Sequence, residues 1–212
     1  MAALALAAFA DLLRVADIKL TLVWSQKRSL AGGGALYYAD RAPGLWRAEV
    51  TTPPMANAEA EGLMAIVNGL GGGLGTVLLY NPRRPYPSSD PTGSIFGAAT
   101  PVVGTITDRT HVAFTGFPNG YSIPLGTYFG VVYDTSRYYL GQFLAAKTAN
   151  GSGVVSAVQV APALPDGITG GQAVTVAKPP FKARIVPGTA FLSSVDIINA
   201  RLSFTAEQSL EA

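Results

Sequence analysis

Leu45 to Pro87 reads LWRAEVTTPPMANAEAEGLMAIVNGLGGGLGTVLLYNPRRPYP. Its pattern is a strand, a turn, one amphipathic helix, a glycine hinge, a second strand and a proline-rich exit. Pro53 and Pro54 end the first strand, because neither has an N–H for a ladder bond. Asn57 is placed to cap the helix, and Glu59 and Glu61 follow where carboxylates suit the helix dipole. Ala60, Leu63, Met64 and Val67 fall at i, i+3, i+4 and i+7, a single apolar stripe. Gly69 and the run Gly71-Gly72-Gly73 stop the helix, since glycine enters left-handed conformations freely. No other stretch reads convincingly as helix. The helix is therefore expected to lie against a mainly β body, a sandwich or barrel.

Composition supports that class. Of 212 residues, 49% are hydrophobic and 13% charged, where an average globular chain carries about 25% charged residues. So few charges imply surface covered by something else, most simply sister subunits. The 24 glycines and 15 prolines supply turns for many short strands. With no cysteine and one histidine, His111, disulfides, thiolate metal sites and histidine-rich metal sites are ruled out. A net charge of +2 is too mild for a dedicated nucleic-acid binder. No stretch reaches the ~20 apolar residues of a membrane span. In the opening MAALALAAFADLLRVADIKL, Ala8-Phe9-Ala10 fits a signal-peptidase site, but no basic residue precedes the apolar run. We read the segment as alanine-rich, amphipathic and packed on a neighbour.

Outward from the helix, Asp17 to Trp24 alternates as a half-buried strand, with Ile18, Leu20, Leu22 and Trp24 on one side. Ser25 to Gly34 reads as a polar loop. Ala35–Asp40 and Leu45–Thr51 read as two short strands about a turn at Ala42-Pro43-Gly44. Gly75–Asn81 is a near-continuous apolar strand, expected to be central. Pro82 to Gly97 reads as a linker. Beyond it, candidate strands are Val102–Thr107, Thr110–Gly116, Thr127–Tyr133, Arg137–Leu144, Gly153–Val160 and Ala173–Ala177. Turn signals separate them at Asp108-Arg109, Asn119-Gly120, Asp134-Thr135-Ser136, Asn150-Gly151 and Pro165-Asp166-Gly167. These suit a small OB-like barrel, with Gly126, Gly130 and Gly141 as bulges or bends. Phe181–Val186 and a long strand Val195–Thr205 then return to the first sheet. The expected organisation is a discontinuous sandwich of residues 1–97 and 179–212, with residues 98–178 inserted as the barrel.

Chemistry is sparse. His111 sits in a strand with no G-x-S-x-G elbow in the chain, and reads as a packed or locally bonded residue. Glu59 and Glu61, two apart on a helix, do not face each other, so no glycosidase pair is indicated; Asp90 and Asp108 are the other carboxylates available. Gly69 to Gly75 follows a helix and precedes a strand, the reverse of a phosphate loop. Asn150-Gly151-Ser152 fits a glycosylation acceptor, though Asn-Gly is equally a hairpin turn, the reading we favour. Arg83-Arg84 with Tyr80 and Tyr86, and Tyr128, Tyr133, Tyr138 and Tyr139, could form a nucleic-acid face, but such aromatics are more often core or interface. We assign no catalytic, cofactor-binding or metal residues, and no enzyme activity.

The order of features resembles the distal tail proteins of long-tailed bacteriophages and gene-transfer particles. It is carried by Trp46 on a strand, the helix from Asn57 to Leu70 and Gly75–Asn81 with Pro82, Arg83, Pro85 and Pro87. Leu125-Gly126-Thr127-Tyr128-Phe129 and Pro162-Ala163-Leu164 complete it. The match is spread over most of residues 17–205 in short motifs. The resemblance implies a tail-tube-like sandwich assembled as a homo-hexameric ring in the virion, built in the host cytoplasm. Such a ring joins the tail tube protein on one face to the baseplate or tail-tip hub on the other. DNA passes its lumen without sequence-specific binding, and no membrane or cofactor is involved. The competing expectation is a carbohydrate- or protein-binding module.

Overall fold

A computed structural model describes residues 3–14 and 17–211. Met1, Ala2, Val15, Ala16 and Ala212, which include part of the expected N-terminal amphipathic segment, lie outside the described residues. Among the described residues the protein is mainly β, with antiparallel sheets and one α-helix.

The first sheet contains β1 (Asp17–Leu30), β2 (Leu36–Thr51), β3 (Met55–Ala56), β4 (Val77–Leu79), and three strands from the end of the chain. Its path is β1-β2-β15-β13-β4, where β13 is Phe181–Ile185 and β15 is Asn199–Gln208; β14 (Phe191–Ser194) and β3 also pair with β15. Alternation along β15 buries Ala200, Leu202, Phe204, Ala206 and Gln208 on one face. Where a sandwich would place a second sheet, α1 (Asn57–Gly69) and the N-terminal segment cover this face. Ala60, Leu63 and Val67 of α1 are buried, with Met64 partly buried beside them, as the apolar stripe requires. Phe9 and Leu13 are buried in the same core, so the N-terminal segment packs on its own chain.

Several local expectations are corrected. Asn57 does not cap α1: the capping position is Ala56, and the Asn57 side-chain amide instead donates to Ile197 O at 2.9 Å. β4 is at the end of the sheet, not its centre. It is buried because Leu4 forms a parallel bridge to Val77 beyond it, with Leu4 N–H donating to Thr76 O and Leu78 N–H to Leu4 O. Of the expected loop Ser25–Gly34 only residues 31–34 turn, since β1 runs to Leu30. Pro43-Gly44 is no turn either: β2 is continuous, and register shifts against β1 near Trp24 and Ser25 absorb the extra residues. A bulge tolerates a proline that cannot donate a ladder bond.

The second sheet contains β5 (Val102–Asp108), β6 (His111–Thr115), β8 (Tyr128–Tyr133), β9 (Arg137–Phe143), β11 (Val155–Ala161) and β12 (Val174–Thr175), in the order β12-β8-β9-β11-β6-β5. Between them β7 (Ser122–Ile123) and β10 (Lys147–Thr148) make a separate two-stranded ladder. The expected OB-like barrel is not found closed. The two ends meet only at a short contact, a bridge from Val102 to Ala173 flanked by backbone hydrogen bonds from Val103 N–H to Gln172 O, Gly171 N–H to Val103 O and Val174 N–H to Pro101 O. Gly130 and Gly141 lie in an unshifted β8–β9 ladder and are not bulges. They leave room: a Cβ at Gly141 would stand 2.4 Å from the Phe129 ring, and one at Gly130 3.1 Å from Pro180. The register shifts fall instead in β5–β6 and β11–β6.

Two hydrophobic cores result. One unites the first sheet, α1 and the N-terminal segment, and the other lies within residues 96–176. Trp46 stitches the seam between them. Its indole N–H donates to Leu140 O at 2.8 Å, its ring meets Tyr128 edge-on at 5.5 Å, and its backbone N–H donates to Gln208 Oε1 at 3.2 Å.

Candidate assembly interface

β2 pairs with β15 only over Arg47–Thr51. On the other side of that ladder β1 and β2 continue alone, from Val23↔Leu45 to Leu30↔Leu36, as a two-stranded arm. At about 3.3 Å per residue the arm extends roughly 25 Å. Its tip closes with Gly34 N–H donating to Ala31 O and Ala31 N–H to Ala35 O; Gly34 has φ +83°, a value that glycine adopts without strain. Trp24, Tyr37 and Tyr38 are 50%, 63% and 60% exposed, and Val23, Leu30 and Leu36 are exposed as well. Among the described residues neither long edge of the arm has a strand neighbour. An isolated hairpin of this kind is marginal in water, and an open strand edge can pair with another chain, here beside the charged Lys27 and Arg28 of β1 and the exposed aromatics of β2. The opposite end of the sheet differs, because Leu4 already occupies the edge of β4.

A second exposed apolar feature is the turn between β14 and β15. The long strand expected from Val195 to Thr205 begins only at Asn199, and Val195–Ile198 form the turn. Asp196 causes this. Its Oδ1 accepts from the N–H groups of Ile198 and Asn199, both at 2.8 Å, and its Oδ2 from Asn199 Nδ2 at 2.9 Å. The Asn199 amide, with those backbone donors, holds the Asp196 carboxyl below its ordinary value. Ile197 is left 95% exposed. Because β15 runs from this turn to Gln208 beside the arm's base, arm and turn lie at opposite ends of the sheet.

The sequence-level candidates are dispersed. His111 Nδ1 lies 3.0 Å from Asp108 Oδ2, and Asp108 Oδ1 accepts from the Thr110 hydroxyl and N–H, each at 2.7 Å. These Thr110 bonds, with His111 adding to them, hold the Asp108 carboxyl down at about 2. The Thr110 hydroxyl also lies 3.2 Å from His111 Nδ1, but its proton goes to Asp108, so the cluster is a local turn lock. Asp90, buried, accepts from Ile95 and Phe96 N–H groups at 3.2 and 2.8 Å. Glu59 faces Arg14 at 3.8 Å, and Glu61 is exposed. Around Gly69–Gly75 the carbonyls of Gly73 and Leu74 accept from Arg184 at 2.5 and 3.1 Å. A loop presenting carbonyls is the opposite of a phosphate cradle. Asn150 Oδ1 accepts from Ser152 and Val154 N–H groups at 2.9 Å, as the hairpin-turn reading requires. Tyr133 and Tyr139 are buried, and Tyr128 and Tyr138 are partly buried. Arg83 meets Asp17 at 2.7 Å, and Tyr80 donates to Asp11 at 2.9 Å. Among the described residues no group of three or more His, Cys, Asp or Glu could hold a metal ion.

Sequence reasoning missed the arm. Gly32-Gly33-Gly34 supply its turn, but Gln26 and Arg28 interrupt the apolar alternation that would have marked its first strand. The sequence matches no protein-family model and no curated protein.

Proposed function

We propose that this chain is a structural virion protein, a distal tail ring that joins a phage tail tube to the baseplate or tail-tip hub and leaves a conduit for DNA. The arm is the observation that carries this reading. One chain exposes two complementary strand edges, the outer edge of β1 and the arm portion of β2. If β1 of one copy pairs with the β2 arm of the next, the contact is heterologous and closes when the rotation between copies divides a full turn. Ring closure then removes both open edges. The hexameric count and the tail assignment come from the resemblance in residue order, and the mainly β fold with one helix agrees with it. A saccharide-binding module would display aromatic platforms on residues 98–178, whereas Tyr121, Tyr133 and Tyr139 there are buried and Tyr128 and Tyr138 are only partly exposed.

The test is negative-stain imaging of concentrated chain, with solution mass measured alongside. We expect closed six-fold rings. A variant with residues 25–43 replaced by an Asn-Gly turn should stay folded and remain monomeric, because the β2–β15 ladder begins beyond the arm. A wild-type chain that is monomeric at every concentration, or an armless variant that still forms rings, would sink the proposal.

A further inference from the structure

A cavity of about 560 Å³ opens where the entry loop after β4 passes the start of β8, and Arg83, Arg84, Tyr86, Ser88, Leu125 and Tyr128 are among its lining residues. Its lining includes two arginines and no carboxylate. Arg83 is already matched by Asp17. Arg84 forms no ion pair among the described residues. Its charge reaches the phenol of Tyr128, whose pKa burial raises and Arg84 pulls back. Leu125, 64% exposed, and the neighbouring prolines give the cavity an apolar wall.

We propose that this cavity binds a phosphate ester of a small molecule. A guanidinium offers up to five N–H donors in a planar fork suited to oxyanions. The hydroxyls of Tyr86, Tyr128 and Ser88 add donors around the same space. A phosphoryl group, with three terminal oxygens, can engage more of these donors than a carboxylate can with two. The apolar wall receives the organic part of the ester. None of its lining residues belongs to the arm.

The experiment is calorimetric titration of the full chain with phenyl phosphate, inorganic phosphate, phenol and acetate. Saturable binding of phenyl phosphate is expected, tighter than that of phosphate or acetate, with far weaker binding of phenol. Arg84→Gln should weaken it about ten- to a hundred-fold without changing the melting temperature. Arg28→Gln, which removes the same charge from the arm, should leave binding intact. No saturation at ligand concentrations on the order of 10 mM, unchanged binding in Arg84→Gln, or equal weakening in Arg28→Gln would overturn the site. Inorganic phosphate or acetate binding as tightly as the ester would overturn the ligand class.

Discussion

The arm and the second sheet are both β-structure rich in aromatics, yet they place those aromatics oppositely. In the second sheet Phe114, Phe129, Phe143 and Tyr139 are buried, with ring centroids 4.7 to 5.9 Å apart in four edge-on or tilted pairs. The arm holds Trp24, Tyr37 and Tyr38 out in solvent. One region completes its burial within a single chain, and the other has surface left for a second. Stability should therefore be encoded mainly in the sheet and association mainly in the arm.

The comparison breaks most visibly at Phe129, where truncation to alanine should cost about 3–5 kcal/mol in urea unfolding. Alkaline pH sharpens it next. Burial, helped by the charge of Asp90, pushes the Tyr121 phenol up to about 12, against roughly 10 when unfolded. Stability is thus complete below pH 10 and falls as pH rises from 10 towards 12, by up to about 2–3 kcal/mol from this group. Tyr121→Phe should flatten that part of the fall. It should cost little at neutral pH, since the buried hydroxyl has no hydrogen-bond partner among the described residues. Gly141→Ala should cost about 1–3 kcal/mol by pressing on Phe129. In a Phe129→Ala background that penalty should shrink, which a double-mutant cycle would detect. Smallest in stability is Tyr38→Ser, expected within about 0.5 kcal/mol of wild type. The same substitution should lower the assembled fraction in sedimentation. If it unfolded the monomer instead, the division between the two regions would fail.

Much of the fold was legible where pattern and chemistry agree. The apolar stripe from Ala60 to Val67 specified α1, and turn residues such as Asn150-Gly151 separated the strands of residues 102–177 nearly where they occur. The failures came where one side chain overrides a pattern. Asp196 collects backbone donors and turns the chain at an apolar run that otherwise reads as strand. Pro43-Gly44 signals a turn, but a partner strand of matching length lets a bulge absorb it. Asn57 finds a better use for its amide on Ile197 O, a contact 140 residues away that no local window contains. The arm escaped for the same reason: its length shows only in the register between β1 and β2. The cavity at Arg84 was legible only as an arginine pair, because its other walls come from β8 and the loop before it.

The chain's two tryptophans divide between these regions, Trp46 at 3% exposure in the seam and Trp24 at the root of the arm. Fluorescence can therefore report two events without a label. A blue shift and loss of acrylamide quenching from Trp24 would mark one chain meeting the next. The unfolding signal would belong to Trp46, so Trp24→Phe and Trp46→Phe separate the optical record of assembly from that of folding.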